Sequence, residues 1–263
     1  MNIVEAIILG LVQGLTEFIP VSSSGHLVLF HKALGITENG LTFDVALHFG
    51  TLMALVLYFY KDVVLLAKSI LHKTEYGRLA RLIALATVPA VIAGMLLESS
   101  AQSAFRSTRL VAVNFIVVAC FMLTAEWFAT RYKHKTKLEK ITPKQAVAVG
   151  AAQALAIVPG VSRSGATITT GLFAGLDRVA ATRFSFLLGI PITAGAIVKV
   201  LASYNSITLI GNEPSLFMVG IVTALLSGLF AIRFMLKYLA KHTLAVFAYY
   251  RIAVGVLVIL LAL

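Results

Sequence analysis

Charge is scarce in this sequence. Of 263 residues only 11 are Asp or Glu and 22 Lys or Arg, so charged residues make up 13% and hydrophobic ones 59%. An average soluble domain has about 25% charged and about 45–50% apolar residues. An ordinary soluble surface is excluded, and a polytopic membrane protein is expected. Cysteine is nearly absent. Cys120 stands alone in an apolar run, which rules out an intramolecular disulfide and a cysteine-based metal site. Low-complexity tracts and Pro/Gly/Ser-rich linkers are missing, so 1–263 is expected to be a single integral-membrane domain. Met1–Gly10 carries Glu5 but no basic stretch, and no small-x-small cleavage site follows, so it is expected to stay on the mature protein. The G-x-x-x-x-G-K-[ST] spacing of a nucleotide P-loop is also absent.

The basic excess is +11. The cations cluster between apolar runs, which reads as positive-inside loops and not as a nucleic-acid footprint, so no nucleic-acid partner is expected. Apolar runs long enough for a bilayer-spanning helix lie near 42–61, 79–98, 109–130, 180–202, 215–238 and 246–263. Two further segments, 2–34 and 144–176, are apolar but cut near the middle by Pro, Gly and Ser. Each half is too short to span, and broken backbone at membrane depth needs protein or water around it. The reading is a re-entrant helical hairpin, with a kinked full span as the alternative.

The broken segments are copies of one another. At an offset of 140, Gly10, Gln13, Leu15, Val21, Ser22, Ser24 and Gly25 match Gly150, Gln153, Leu155, Val161, Ser162, Ser164 and Gly165, seven identities in sixteen positions. Each copy is followed by three spans, and an odd number of crossings inverts the second relative to the first. The fold class expected is therefore an all-α polytopic membrane protein, an inverted-topology repeat of six transmembrane helices plus two re-entrant hairpins. Repeat one covers about 1–130 and repeat two about 144–263, with a basic cytoplasmic loop at 131–143 between them. Lys61, Lys68, Lys73 and Arg78, then Arg131 to Lys144, then Lys237 and Lys241 fall on one face, which is cytoplasmic by the Lys/Arg bias. Both termini then face outward, and the tips of the two hairpins can meet.

The chemistry gathers in those tips. Glu17 is a carboxylate in an apolar run, costly there unless it functions or ends a helix near water. Gln13, one turn earlier, can hold a substrate oxygen or a metal-bound water. Ser22, Ser23, Ser24 and Gly25 open the second half-helix. One hydroxyl suffices for an N-cap, and the rest, with free helix N–H groups, make an anion cradle. His26, one turn beyond Ser23, is placed to approach its hydroxyl as general base and then acid. Arg163 stands between Ser162 and Ser164, with Gly165 and Thr167 beyond. Its partner is either Glu17, in an ion pair, or a phosphate gripped by the guanidinium fork. Ser23 is the candidate nucleophile, with direct attack by water as the competing mechanism. Other polar residues read as structural. His48, Asn114 and Glu126 would pair with neighbouring helices, Lys199, Arg233 and Arg251 would snorkel at span ends, and Asp177, Arg178 and Arg183 would form a solvated ion cluster.

Across essentially its whole length the chain resembles the bacterial undecaprenyl-diphosphate phosphatases, the bacitracin-resistance family. The resemblance rests on Gln13-Gly14-Leu15-Thr16-Glu17, which fits (E/Q)-x-x-x-E, with Pro20-Val21-Ser22-Ser23-Ser24-Gly25-His26 after it. It rests also on Pro159-Gly160-Val161-Ser162-Arg163-Ser164-Gly165-Ala166-Thr167, which fits P-G-x-S-R-S-x-x-T. The resemblance implies hydrolysis of a polyprenyl diphosphate lipid, undecaprenyl diphosphate, to the monophosphate carrier used in peptidoglycan synthesis. It also implies bacitracin resistance, a divalent cation (Mg2+ or Ca2+) with Glu17 as its protein ligand, and a homodimer. Some members have Glu where Gln13 stands, which shifts weight to Glu17. The expected location is the bacterial inner cell membrane, multi-pass, with the site open to the periplasmic or extracellular face. A secondary transporter or lipid-phosphate flippase would use the same repeat architecture.

Overall fold

The computed structural model describes residues 1–36, 40–97, 107–131, 135–202, 208 and 210–261. Among these residues the chain is helical, and its one β feature is an isolated parallel bridge between Thr136 and Leu176. The principal helices are α1 (Ile3–Phe18), α2 (Ser23–Leu34), α3 (Gly40–Tyr58), α4 (Tyr60–Ser69), α5 (Glu75–Leu96) and α6 (Thr108–Ala129). After a 3₁₀ turn at Leu138–Lys140 come α7 (Pro143–Leu155), α8 (Arg163–Phe173), α9 (Arg178–Leu201), α10 (Pro214–Leu239) and α11 (Ala245–Leu260).

Four helices, α5, α6, α9 and α10, are long and apolar enough to cross a membrane. The α3–α4 pair makes a fifth if it counts as one span. The chain is an all-α polytopic membrane protein. Two expected spans differ in detail. The run at 42–61 ends at Phe59, where the chain bends 80° into α4, a helix without buried residues. The last, α11, has 16 residues, short of the roughly 20 that cross a bilayer. Its expected end at 262–263 lies outside the described residues.

The broken segments are hairpins. Their halves hold 16, 12, 13 and 11 residues, each too short to span at about 1.5 Å per residue. Within each pair the two halves pack on one another, as a continuous kinked span would not. Both hairpins start on a capping box. Asn2 and Glu5 exchange hydrogen bonds of 2.9 and 2.7 Å, and Thr142 and Gln145 do the same ahead of Pro143. Satisfying orphan N–H groups in this way fixes where each helix begins.

The hairpins are traded between the halves of the chain. Helix α1 packs chiefly on α10, and its counterpart α7 on α5. The matched residues Gly10 and Gly150 mark both contacts. A Cβ on Gly10 would stand 2.7 Å from the Gly220 carbonyl oxygen, and one on Gly150 would stand 2.2 Å from that of Ala86. Small residues let helices approach closely where lipid gives no hydrophobic drive to association. Around this exchange a large apolar cluster runs from Phe18 and Phe59 through Met122 to Phe186 and Met235, and a smaller one joins Leu9, Phe43, Leu47 and Phe217.

The charged turn at 177–183 is not a solvated cluster. Asp177 caps α9 through the Ala180 N–H at 2.7 Å. Arg178 reaches across to Glu126 on α6, and Arg183 to Asp62 on α4 at 3.1 Å. Glu126 also accepts the Leu244 N–H at 2.8 Å. A desolvated charge needs a partner, and these pairs tie three helix ends together. The basic connection is likewise built in: Arg78 donates to the Ile141 carbonyl at 2.9 Å, and Thr136 exchanges backbone bonds with Gly175 and Asp177.

Candidate active site

The tips of the two hairpins fold alike. Ser22 and Ser162 each occupy a positive-φ conformation, at φ 76° and 73°, and are the only non-glycine residues to do so among those described. Each caps its helix by accepting the N–H of the following glycine, Gly25 at 3.3 Å and Gly165 at 3.0 Å. Each also lies 3.3 Å from the second serine of its own loop, Ser24 or Ser164. A side chain at φ near +75° costs on the order of 1–3 kcal/mol. The sequence carries that strain twice, at matched positions, on the turn that opens each second half-helix.

Glu17 is the hub between the tips. Its Oε2 accepts from Ser23 Oγ at 2.5 Å and from Gln13 Nε2 at 3.1 Å. Its Oε1 accepts from Arg163 Nη2 at 2.9 Å, and its main-chain carbonyl accepts from Ser164 Oγ at 3.1 Å. His48 on α3 brings Nε2 to 3.7 Å from Oε2, with Nδ1 held by the Asp44 carbonyl at 2.8 Å. Behind it Asp44 pairs with His31 at 3.1 Å. On the other side Arg163 Nη1 donates to the Ser185 carbonyl, and Thr167 and Ser185 share a hydroxyl contact of 2.6 Å. One carboxylate thus meets a guanidinium, a serine, an amide and an imidazole; Glu17, Gln13 and Ser23 are buried, and Arg163 and His48 stay partly exposed. The ion pair weighed as one reading of Arg163 is formed, and the guanidinium keeps further N–H donors beyond those two bonds.

His26 is placed elsewhere. Its Nδ1 lies 2.8 Å from the Ser22 carbonyl and its Nε2 lies 2.8 Å from the hydroxyl of Tyr250 on α11. The ring stacks on Tyr250 and leans on Phe115. A carbonyl only accepts, so Nδ1 donates, and the imidazole braces the strained Ser22 peptide. The hydroxyl of Ser23 is paired with Glu17 and not with His26. The reason is geometric: from the first turn of α2 the His26 ring folds back on the peptide four residues earlier.

Sequence reasoning missed five contributors. His48 and Tyr250 carried no signal beyond being polar atoms in apolar spans. Gly189 makes room for Arg163, since a Cβ there would stand 2.1 Å from Nη1. Arg251 does not snorkel. It is fully buried on α11 and donates to carbonyls of both loops. Asn114, expected to pair between helices, anchors the second loop by donating to the Pro159 carbonyl at 2.9 Å.

The residues were also tested for a divalent cation. Among the described residues no three or more His, Cys, Asp or Glu side chains gather to hold one, so there is no closed protein cage. What stands at the hub is Glu17 with Gln13 Oε1 beside it, buried and without a hydrogen-bond partner. Two oxygen donors fit a hard cation that takes its other ligands from phosphate and water.

Comparison with known proteins covers nearly the whole chain. The family described as "Bacitracin resistance protein BacA" matches residues 6–257. The undecaprenyl-diphosphatase of Geotalea daltonii is 43% identical over 265 residues, covering 98% of this chain and 97% of its own. That of Carboxydothermus hydrogenoformans is 43% identical, covering 99% and 98%. That of Elusimicrobium minutum is 42% identical, covering 100% and 99%. With both hairpin tips, the hub between them and nearly the full length accounted for, the chain belongs to the bacitracin resistance protein BacA family.

Proposed function

We propose that this chain hydrolyses undecaprenyl diphosphate to undecaprenyl phosphate and inorganic phosphate, returning the lipid carrier to peptidoglycan synthesis and conferring bacitracin resistance. The names of its relatives support the substrate. One observation carries the chemistry: Ser23 Oγ lies 2.5 Å from one oxygen of Glu17 while Arg163 holds the other. Binding alone would need the cation and the loop amides, but not a serine hydrogen-bonded to a buried carboxylate. For that reason the transporter reading is set aside.

In this reading the prenyl tail lies in the bilayer and the diphosphate enters between the tips. The free donors of Arg163 and the loop amides that follow Ser22 and Ser162 hold the terminal phosphate and its developing charge. Ser23 attacks the terminal phosphorus, the bridging P–O bond breaks, and Glu17 passes the Ser23 proton to the departing lipid phosphate. Water then attacks the phosphoserine, giving a proton through Glu17 to the leaving Ser23 oxygen. Gln13 Oε1, Glu17 and the diphosphate would hold a Mg2+ or Ca2+ ion, which would neutralise part of the diphosphate charge. The Lys/Arg bias of the loops supports a site opening to the periplasmic or extracellular face.

The test is phosphate release from undecaprenyl diphosphate by the detergent-purified chain. The wild type turns over. Glu17→Gln and Ser23→Ala each lose about 10²–10⁴-fold, and rapid quenching of the wild type traps phosphate on Ser23. Near-normal release by either variant removes the site assignment. Absence of release by the wild type removes the activity and returns the reading to transport.

A further inference from the structure

Among the described residues Arg251 is the largest fully buried side chain. Every hydrogen bond it makes among the described residues ends on a main-chain carbonyl. Nη1 donates to Pro20 at 3.3 Å, and Nη2 to Gly160 at 2.7 Å, Val161 at 3.4 Å and Asn114 at 3.1 Å. Nε donates to Phe115 at 3.2 Å. Two of these acceptors are one position in two copies, since Pro20 and Gly160 stand 140 residues apart, the offset that superposes the hairpins. A single guanidinium thus holds the same carbonyl of both loops, one through each terminal nitrogen.

The position itself has a counterpart. Val111 on α6 stands 140 residues before Arg251 and is also fully buried. Its side chain would meet a Cβ on Gly25 at 3.1 Å, and Arg251 Nη1 would meet one on Gly165, the matching residue, at 3.6 Å. The two residues flank the hairpin tips as a related pair, one apolar and one cationic. The apolar member only fills space, whereas the cationic member ties.

We infer that Arg251 is a positioning residue for the reaction. It joins equivalent carbonyls of the two re-entrant loops and so sets the distance at which Arg163, on the second loop, meets Glu17 and Ser23, on either side of the first. It touches no substrate. Charge-assisted bonds are shorter and stronger than neutral ones, and the planar fork can hold divergent acceptors as a lysine ammonium cannot. Tyr250, the residue before it, braces the first loop through His26, so one turn of α11 supports both tips. The inference rests on Glu17, Ser23 and Arg163 being the reacting groups.

The experiment measures kcat and KM for undecaprenyl diphosphate with the full-length purified chain carrying Arg251→Lys, Ser164→Ala or both, with thermal midpoints alongside. Ser164 bonds directly across to the first hairpin, at the Glu17 carbonyl, beside the Arg163–Glu17 pair. Arg251→Lys lowers kcat by about 30-fold or more, because misplacement by an ångström costs on the order of 10², with KM within about threefold. Because both changes loosen one joint, the double variant falls much less than the product of the single losses. A kcat within about threefold of wild type, single effects that multiply, or a loss that disappears when rates are normalised to folded protein would each overturn the inference. If Arg251→Lys yields no folded protein, Asn114→Ala replaces it, since Asn114 holds the second loop at Pro159. The same selective loss of kcat is expected, and an unchanged kcat overturns the inference. Glu17→Gln is run in parallel. If it keeps turnover the site reading fails, and if it loses turnover while Arg251→Lys does not, the positioning role alone fails.

Discussion

Arg163 owes its placement to an absent atom. Gly189 leaves the space its guanidinium fills, and a methyl there would fall 2.1 Å from Nη1. That nitrogen is the far end of a flexible side chain, so Gly189→Ala moves the arginine off the Ser185 carbonyl and Glu17 and leaves the helix packed. The expected outcome is a drop in turnover of about 10²-fold, with a thermal midpoint within about 3 °C of wild type; steady-state kinetics and a melting curve on one preparation check both. Glu17, Ser23 and Arg163 were legible in the sequence because polar atoms in an apolar run must find partners. Arg251 was not. Its partners are backbone carbonyls, which have no residue identity, and its place in an apolar helix looked like that of a snorkelling cation. His26 was found, but its direction depends on the turn of α2 and on Tyr250, which lies 224 residues away.

At the scale of elements, the hairpins followed from arithmetic, because halves of 11 to 16 residues cannot cross a bilayer. Helix α4 was hidden because no Pro or Gly marks the bend at Phe59, and Lys61 and Lys68 read as the connection after the span. The role of Glu126 was hidden too, since its two partners come from α9 and the turn before α11. It is the joint on which those helix ends meet, accepting Arg178 and the Leu244 N–H. Glu126→Ala leaves a cation and a backbone donor unpaired. A loss of about 3 kcal/mol is expected, the low end for a broken buried pair, because Arg178 keeps 20% of its side-chain surface exposed. Denaturant unfolding in detergent measures it, and turnover per folded molecule stays at the wild-type level.

For the whole molecule, the repeat made the meeting of the hairpin tips legible, whereas the exchange of hairpins between the halves shows only in the close approaches of Gly10 to Gly220 and of Gly150 to Ala86. Orientation is checked by labelling. In a Cys120→Ser background, a cysteine at Asn212 should react with an impermeant maleimide added to intact cells. One at Lys137 should react only after the membrane is opened; the reverse pattern would place the site on the cytoplasmic side. The pairing of Val111 with Arg251 reaches further back. Two identical halves would have set two arginines, or none, against the same pair of carbonyls. They would also have carried two carboxylates, or none, where Glu17 and Ile157 now stand. A symmetric ancestor of that kind would have offered its ligand two equivalent poses. With one arginine and one carboxylate at these positions in place of two of each, a diphosphate, whose two ends differ only in the lipid one of them bears, would have a single way to lie.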